Sequence, residues 1–145
     1  MFKRILLAYD GSESGQKALL DCREIAQLAQ AEIYLVAVML PPTVAAAGEA
    51  FVFDDRQDQV ELERYRKILD EGIARLREAG YQASGEVVTG DPTDQIARQA
   101  EKIHADLIVV GHRHLGSWAA RWWRGSVSKS LIERSPCSVL VAITR

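Results

Sequence analysis

The chain is poor in cysteine and proline, and it has no long hydrophobic run. Two cysteines and four prolines occur among 145 residues, and aromatic side chains make up 7% of them. Cys22 and Cys137 are far apart and form no C-x-x-C pair, which excludes a disulfide scaffold, so we expect both thiols to be reduced and packed. No segment approaches the length of a membrane span. The apolar run Ile5–Tyr9 is stopped by Asp10 and is too short for a secretory signal, so we expect a cytoplasmic protein.

An excess of one charge is also missing. Lys and Arg number 18 against 20 Asp and Glu, a net charge of −2, so no basic field exists to attract nucleic acid or anionic lipid. Small molecules and proteins remain as partners. With 48% hydrophobic residues, the chain has enough apolar surface for one ordinary core, and its length predicts a single domain over residues 1–145.

Short apolar runs alternate with stretches of helical periodicity. The predicted strands are 5–9, 33–38, 86–89, 107–111 and 138–143, and the predicted helices are 14–29, 58–79, 92–103 and 125–134. Asp91 precedes Pro92 as a helix cap should, and Gly80 is placed to end the second helix. Residues 41–56, with Pro, Gly and an Ala run, predict a loop over the top of the sheet, and Asp54-Asp55 within it a solvated turn.

This alternation predicts a doubly wound α/β fold: a five-stranded parallel sheet with helices on both faces. If the first three strands wind one way and the last two the other, the order is 3-2-1-4-5. A crevice then opens where the first and fourth strands diverge, at their carboxyl ends. Asp10-Gly11-Ser12 and Gly111, which is predicted to end the fourth strand, meet at that crevice.

Glycines bracket the segment between the fourth strand and the last helix. Gly111 comes first, Gly116 follows, and Gly125-Ser126 opens the helix. Glycine lets backbone N–H groups approach an anion closely, and a helix N-terminus favours negative charge, so the arrangement suits a phosphate. The same glycines would also satisfy a turn and a helix cap. Spacing alone leaves both interpretations open.

Several motifs, in this order along the chain, resemble the universal stress protein family. They are Ile-Leu-Leu-Ala-Tyr-Asp-Gly-Ser at 5–12, Gly90-Asp91-Pro92, Asp-Leu-Ile-Val-Val-Gly at 106–111, Gly125-Ser126-Val127-Ser128, and Ser-Pro-Cys-Ser-Val-Leu-Val at 135–141. The resemblance spans nearly the whole chain. It implies an adenine nucleotide alpha hydrolase-like fold and a stress-response or regulatory module. Some members bind ATP in the crevice, with or without Mg²⁺, and others do not.

The resemblance also assigns roles to residues. Gly111 matches the first glycine of the family's nucleotide-binding pattern and Gly125 the last; Asp10 matches an aspartate beside the nucleoside, and Val38 a residue whose backbone touches adenine. The nucleotide-binding residues assigned on this basis are Asp10, Gly11, Ser12, Val38, Gly111, His112, Arg113, His114, Gly116, Gly125, Ser126 and Val127. The family dimerises through its last strand, which corresponds here to Val139, Leu140, Val141, Ala142 and Ile143.

The middle glycine of the pattern is replaced. Counting from Gly111 the position is His114, and counting back from Gly125 it is Leu115, while Gly116 comes late in a loop that is one residue longer. Two hypotheses follow. The chain is an ATP-binding module, or it is a dimeric interaction module that does not bind ATP.

Other features of the chain have less specific interpretations. Trp118, Trp122 and Trp123 form a surface for a protein partner, stack on a base, or pack on neighbouring helices. His112 and His114 lack further ligands nearby in the sequence, so no metal site is predicted. No general base, phosphate-binding lysine or pair of metal-binding carboxylates can be assigned, so any ATP hydrolysis should be slow.

Overall fold

Strands and helices alternate throughout the computed structural model of the chain, which describes residues 2–11, 13–40, 55–113 and 127–144. The elements in chain order are β1 (Arg4–Ala8), α1 (Glu13–Ala29), β2 (Glu32–Met39), α2 (Asp55–Glu78), β3 (Ala83–Thr89), α3 (Pro92–Ile103), β4 (Leu107–Arg113), α4 (Val127–Arg134) and β5 (Ser138–Thr144).

The five strands form one parallel sheet in the order β3-β2-β1-β4-β5, which confirms the predicted fold class and strand order. β1 is the central strand, where Ile5 pairs with Ile33 of β2 on one side and with Leu107 of β4 on the other. Parallel strands in the middle of such a sheet are covered on both faces, which explains why β1 is an unbroken apolar run.

The side chains of the sheet alternate between two hydrophobic clusters. Leu7 and Val109 face the first, which includes Cys22 of α1 and Leu69 of α2. The second cluster lies under the other two helices and contains Leu6, Val36 and Ile108 of the sheet, Ile96 and Ala100 of α3, and Leu131 of α4. α1 and α2 therefore cover one face and α3 and α4 the other. Because α1 follows β1 and α4 follows β4, the chain leaves these two neighbouring strands towards opposite faces, as the predicted crevice requires.

Local signals in the sequence correctly placed two helix ends. The carboxylate of Asp91 accepts a hydrogen bond from the Asp94 N–H at 3.0 Å, and Pro92 occupies the first turn of α3. Gly80 has a φ of +89° just after α2, and its N–H donates to the Arg77 carbonyl at 2.9 Å.

Several boundaries differ from the prediction. α2 begins at Asp55 instead of Asp58, so Asp55 belongs to a helix and not to a turn, while residues 41–54 lie outside the described part of the chain. β3 begins at Ala83, which pairs with Ile33, and not at Glu86. Strand pairing is made by the backbone, so it extends past the apolar residues that predicted the strand.

Both cysteines are free, in agreement with the predicted absence of a disulfide. Cys22 is completely buried on the inner face of α1, and this burial raises the pKa of its thiol to about 12. Cys137 is half-buried before β5. Among the described helices, none combines the length and apolar character that crossing a membrane requires.

Candidate functional site

The strand register shows which of the predicted site residues lie at the carboxyl edge of β2, β1 and β4. Ala8 lies beside Val36 of β2 and Val110 of β4. Two residues further along each parallel strand, the chain reaches Asp10, Val38 and His112, so these positions lie at the same level of the sheet. The central prediction, that residues after β1 meet residues at the end of β4, agrees with this register.

Val38 reaches this edge with its side chain turned inward. The side chain is completely buried in the cluster under α3, together with Val36 and Ile96. The residue as a whole has no exposed surface, so its side chain is not available to a ligand at this edge.

Asp10 lies between a buried residue and an exposed one. Tyr9 is 2% exposed, and its N–H donates to the Val36 carbonyl at 3.0 Å, whereas Gly11 is exposed. Asp10 itself is half-buried. Burial raises the pKa of the Tyr9 hydroxyl and the charge of Asp10 acts in the same direction, while Arg75 and a hydrogen bond from Gln16 oppose them.

Gly11 allows the chain to turn from β1 into α1. Its φ of +78° lies in the left-handed region, which side chains other than glycine rarely adopt. A Cβ atom at this position would lie 2.9 Å from Cγ2 of Ile68 in α2. Both the turn and the close approach of α2 therefore require glycine.

The start of α3 lies at the same edge, beside the end of β2. Gly90, with a φ of +149°, donates its N–H to the Met39 carbonyl at 3.0 Å. Its missing side chain leaves room for Gln95, whose Nε2 would be 2.8 Å from a Cβ atom. The Gly90-Asp91-Pro92 motif thus connects β3 to α3 next to Val38.

The prediction that Gly111 ends β4 is wrong. Gly111 is buried within the strand and pairs with Ala142, and the strand continues through His112 and Arg113, which pair with Ile143 and Thr144 of β5. β5 is long enough to supply backbone partners beyond the glycine, so the strand extends by two residues. His112 and Arg113 are therefore strand residues and not loop residues.

The rest of the predicted phosphate loop lies outside the described residues. This applies to Ser12, His114, Leu115, Gly116, Gly125 and Ser126, and to the three tryptophans Trp118, Trp122 and Trp123. Val127 is the first residue of α4. Within the described ranges, no group of three or more His, Cys, Asp or Glu side chains is arranged to hold a metal ion.

Sequence reasoning missed the residues that hold the turn around Asp10. Gln16 of α1 donates from Nε2 to the Tyr9 hydroxyl at 2.7 Å, and Arg75 of α2 donates to Oε1 of Gln16 at 2.8 Å. A Cβ atom on Gly72 would come within 2.7 Å of the Tyr9 ring. The spacing of Ile68, Gly72 and Arg75, which places them on one face of a helix, was the available signal.

Comparison with known proteins gives consistent results. Residues 1–142 match the family model described as "Universal stress protein family". A universal stress protein of Thermus aquaticus is 35% identical over 141 residues, covering 97% of this chain and 98% of that protein.

Solved structures show the same fold. A universal stress protein family member from Burkholderia pseudomallei is 27% identical, with a TM-score of 0.72 and coverage of 96% of this chain and 94% of the other. A universal stress protein solved in complex with cAMP is 26% identical, with a TM-score of 0.70 and coverage of 99% and 98%.

Proposed function

The chain belongs to the universal stress protein family, and from this premise we propose that it binds an adenine nucleotide, ATP or a related one, in the crevice between β1 and β4. The bound nucleotide would make it a regulatory module of the stress response, with slow hydrolysis at most. A cytoplasmic location belongs to the same proposal.

The observation that carries the proposal is the strand register at the carboxyl edge. β1 and β4 are neighbours, and their chains leave towards opposite faces of the sheet. Ligands of open α/β sheets bind at such a switch point. The relative solved with cAMP, which covers nearly the whole chain, adds that an adenine nucleotide is compatible with this fold at 26% identity.

The described residues fit the nucleoside half of the ligand. The Asp10 carboxylate, half-buried at the edge, is an acceptor for an amino or hydroxyl group of the nucleoside. The family resemblance assigns the backbone of Val38 to the adenine base, and Val38 itself has no exposed surface in the structure. For the phosphates, backbone N–H groups of the glycine-bracketed segment and the N-terminus of α4 are the proposed donors, with Mg²⁺ accompanying the phosphates.

In this proposal, the presence of His114 or Leu115 at the position of the middle glycine weakens the binding of the phosphates. Losing one charge-assisted hydrogen bond to a phosphate costs about 1.5–3 kcal/mol, or roughly 10- to 100-fold in affinity. We therefore expect this replacement to lower the affinity for AMP and cAMP, which have one phosphate, by less than it lowers the affinity for ATP.

Calorimetric titration tests the proposal. AMP, cAMP and ATP with Mg²⁺ are titrated into the native protein and into Gly125→Arg, which fills the predicted phosphate site. Saturable heat in the native protein that is lost in Gly125→Arg supports binding. Flat traces at millimolar nucleotide contradict it and favour the dimeric interaction module that binds no ATP.

We further propose a homodimer through β5. β5 is an edge strand, and Ile143 near its end is 47% exposed. A second copy of the strand would cover this apolar edge. Ile143→Asp should shift the mass measured by light scattering to that of a monomer. Val60→Asp, which changes a residue that is 63% exposed on α2, is the control and should leave the mass unchanged.

A further inference from the structure

One face of α2 contacts both neighbours of Asp10. Ile68 lies against Gly11, where a Cβ atom would be 2.9 Å from its Cγ2. One turn later, Gly72 lies against Tyr9, where a Cβ atom would be 2.7 Å from the ring and 3.0 Å from Cδ2 of Leu35. The residues before and after the site carboxylate are thus both held by the same helix.

Arg75, on the next turn of this face, extends the contact to α1. Its Nη1 donates to Oε1 of Gln16 at 2.8 Å, and Nε2 of Gln16 donates to the Tyr9 hydroxyl at 2.7 Å. The Gln16 side chain therefore links Arg75 of α2 to Tyr9, the residue that follows β1. We call Ile68, Gly72, Arg75 and Gln16 together the α2 clamp.

We propose that the α2 clamp is a positioning element that sets the place of the Asp10 carboxylate and thereby the affinity of the crevice for an adenine nucleotide. This inference rests on the proposed function. None of the clamp residues needs to touch the nucleotide. They act through Tyr9 and Gly11, which flank Asp10 in the short turn from β1 to α1.

A carboxylate that contacts a ligand must be positioned precisely. A binding group must be held within about 0.5 Å of its productive position by residues that are themselves packed. At Gly72 and Gly11, α2 is closely packed against this turn, since a Cβ atom at either position would overlap with neighbouring atoms. A displacement of α2 therefore moves the turn, and Asp10 with it.

Arg75→Leu and Arg77→Leu form a matched pair for the test. Both arginines lie near the end of α2, but Arg77 donates from Nε to the Ala83 carbonyl of β3 at 2.9 Å and makes no contact with the clamp in the described residues. We expect Arg75→Leu to raise the Kd for AMP about 10-fold, comparable to the loss of one good hydrogen bond, and Arg77→Leu less than about 2-fold. Arg75→Lys should restore part of the loss. Equal Kd values for the two leucine variants would overturn the inference.

A double-mutant cycle separates positioning from general loosening of the protein. If Arg75 acts through Asp10, Arg75→Leu should have little further effect on the Kd in an Asp10→Asn background. Additive effects, with the same fold-change in both backgrounds, would contradict the inference.

A ligand-free readout distinguishes its failure from that of the proposed function. The backbone amide resonances of Asp10 and Gly11 should move more in Arg75→Leu than in Arg77→Leu. If AMP gives no heat but these amides move selectively, the nucleotide proposal fails and the positioning of the turn by α2 stands. If AMP binds but the two variants shift the amide resonances of Asp10 and Gly11 equally, the proposed role of the α2 clamp is wrong and the nucleotide proposal stands.

Discussion

The amino edge of the sheet, where the strands begin, and the carboxyl edge, where they end, both carry aspartates, but in different surroundings. Asp106, just before β4 at the amino edge, accepts hydrogen bonds from the N–H groups of Lys3 at 2.6 Å and Arg4 at 3.0 Å. Its own N–H donates to the Arg4 carbonyl at 2.8 Å. Asp10, just after β1, lies at the opposite edge, where the chains diverge to separate faces. At the amino edge these hydrogen bonds join β1 to β4, whereas at the carboxyl edge the described helices that follow the two strands lie on opposite faces of the sheet.

The contrast follows from the winding of the chain. At the amino edge, β1 and β4 start side by side, so short polar contacts connect them. At the carboxyl edge, α1 and α4, the described helices that follow these strands, lie on opposite faces of the sheet. Asp106 at the first edge connects two strands, and Asp10 lies at the second edge, where ligands of such sheets bind.

The largest effect should come from a substitution in β1, which runs from the amino edge of the sheet to the carboxyl edge. Leu6→Ala removes a completely buried side chain from the middle of β1 and should lower the free energy of unfolding by about 2–5 kcal/mol. Urea denaturation measures the loss. The amide hydrogens of Arg4, at the amino edge, and of Tyr9, at the carboxyl edge, should both exchange faster than in the native protein. Faster exchange at only one of the two would mean that the two ends of β1 unfold separately.

Asp10→Asn should weaken binding by more than it lowers stability. The isosteric amide keeps the shape and removes the charge, so we expect the Kd for AMP to rise about 10- to 100-fold. The free energy of unfolding should change by less than about 1 kcal/mol, because the amide keeps an oxygen that accepts hydrogen bonds. Calorimetry and urea denaturation give the two values, with Asp106→Asn as the control, for which binding is unchanged. A large stability loss in Asp10→Asn would place this carboxylate among the structural ones.

Asp91→Ala tests a third aspartate, which lies at the carboxyl edge but caps a helix. Loss of the hydrogen bond to the Asp94 N–H should cost about 1 kcal/mol of stability. Thermal denaturation provides the measurement. Asp91→Asn, which keeps an accepting oxygen, should retain most of the stability. An equal loss in both variants would show that the cap is not the reason.

The smallest effect should be the pH dependence contributed by Asp106. The backbone N–H groups of Lys3 and Arg4 hold the pKa of its carboxyl below the usual value of 3.8. A lowered pKa in the folded state means stability that is present above about pH 4 and lost as the pH falls through the folded pKa. Asp106→Asn should therefore be less stable than the native protein at pH 7, by a difference that narrows towards pH 3. A difference that stays constant would contradict this account.

The order of the strands could be predicted from the sequence because local signals agreed with it. Buried runs such as that of β1 and the cap at Asp91 depend on a few neighbouring residues. The start of β3 could not be predicted, since Ser84 and Gly85 at the edge of the sheet are held by pairing with β2 and not by apolar character. The extension of β4 beyond Gly111 escaped prediction for the same reason.

The places of Asp10 and Val38 at the carboxyl edge of the sheet could be predicted, but the residues that support Asp10 could not. Asp10 and Val38 follow from their places at strand ends, together with the family resemblance. The contact of Arg75 with Gln16 joins two helices across 59 residues of sequence and depends on the absence of a side chain at Gly72. The spacing of Ile68, Gly72 and Arg75 indicates that they share a face of α2, but their partners are determined only when the helices pack.

The central place of β1 also affects how the protein is synthesised. β1, β2 and β3 come from the first part of the chain and can associate early, but Ile5 pairs with Leu107, which leaves the ribosome much later. Until β4 arrives, one side of the innermost strand has unsatisfied backbone groups and exposed apolar residues. This high contact order predicts slow completion of folding and a nascent chain that is vulnerable to aggregation until it reaches β4.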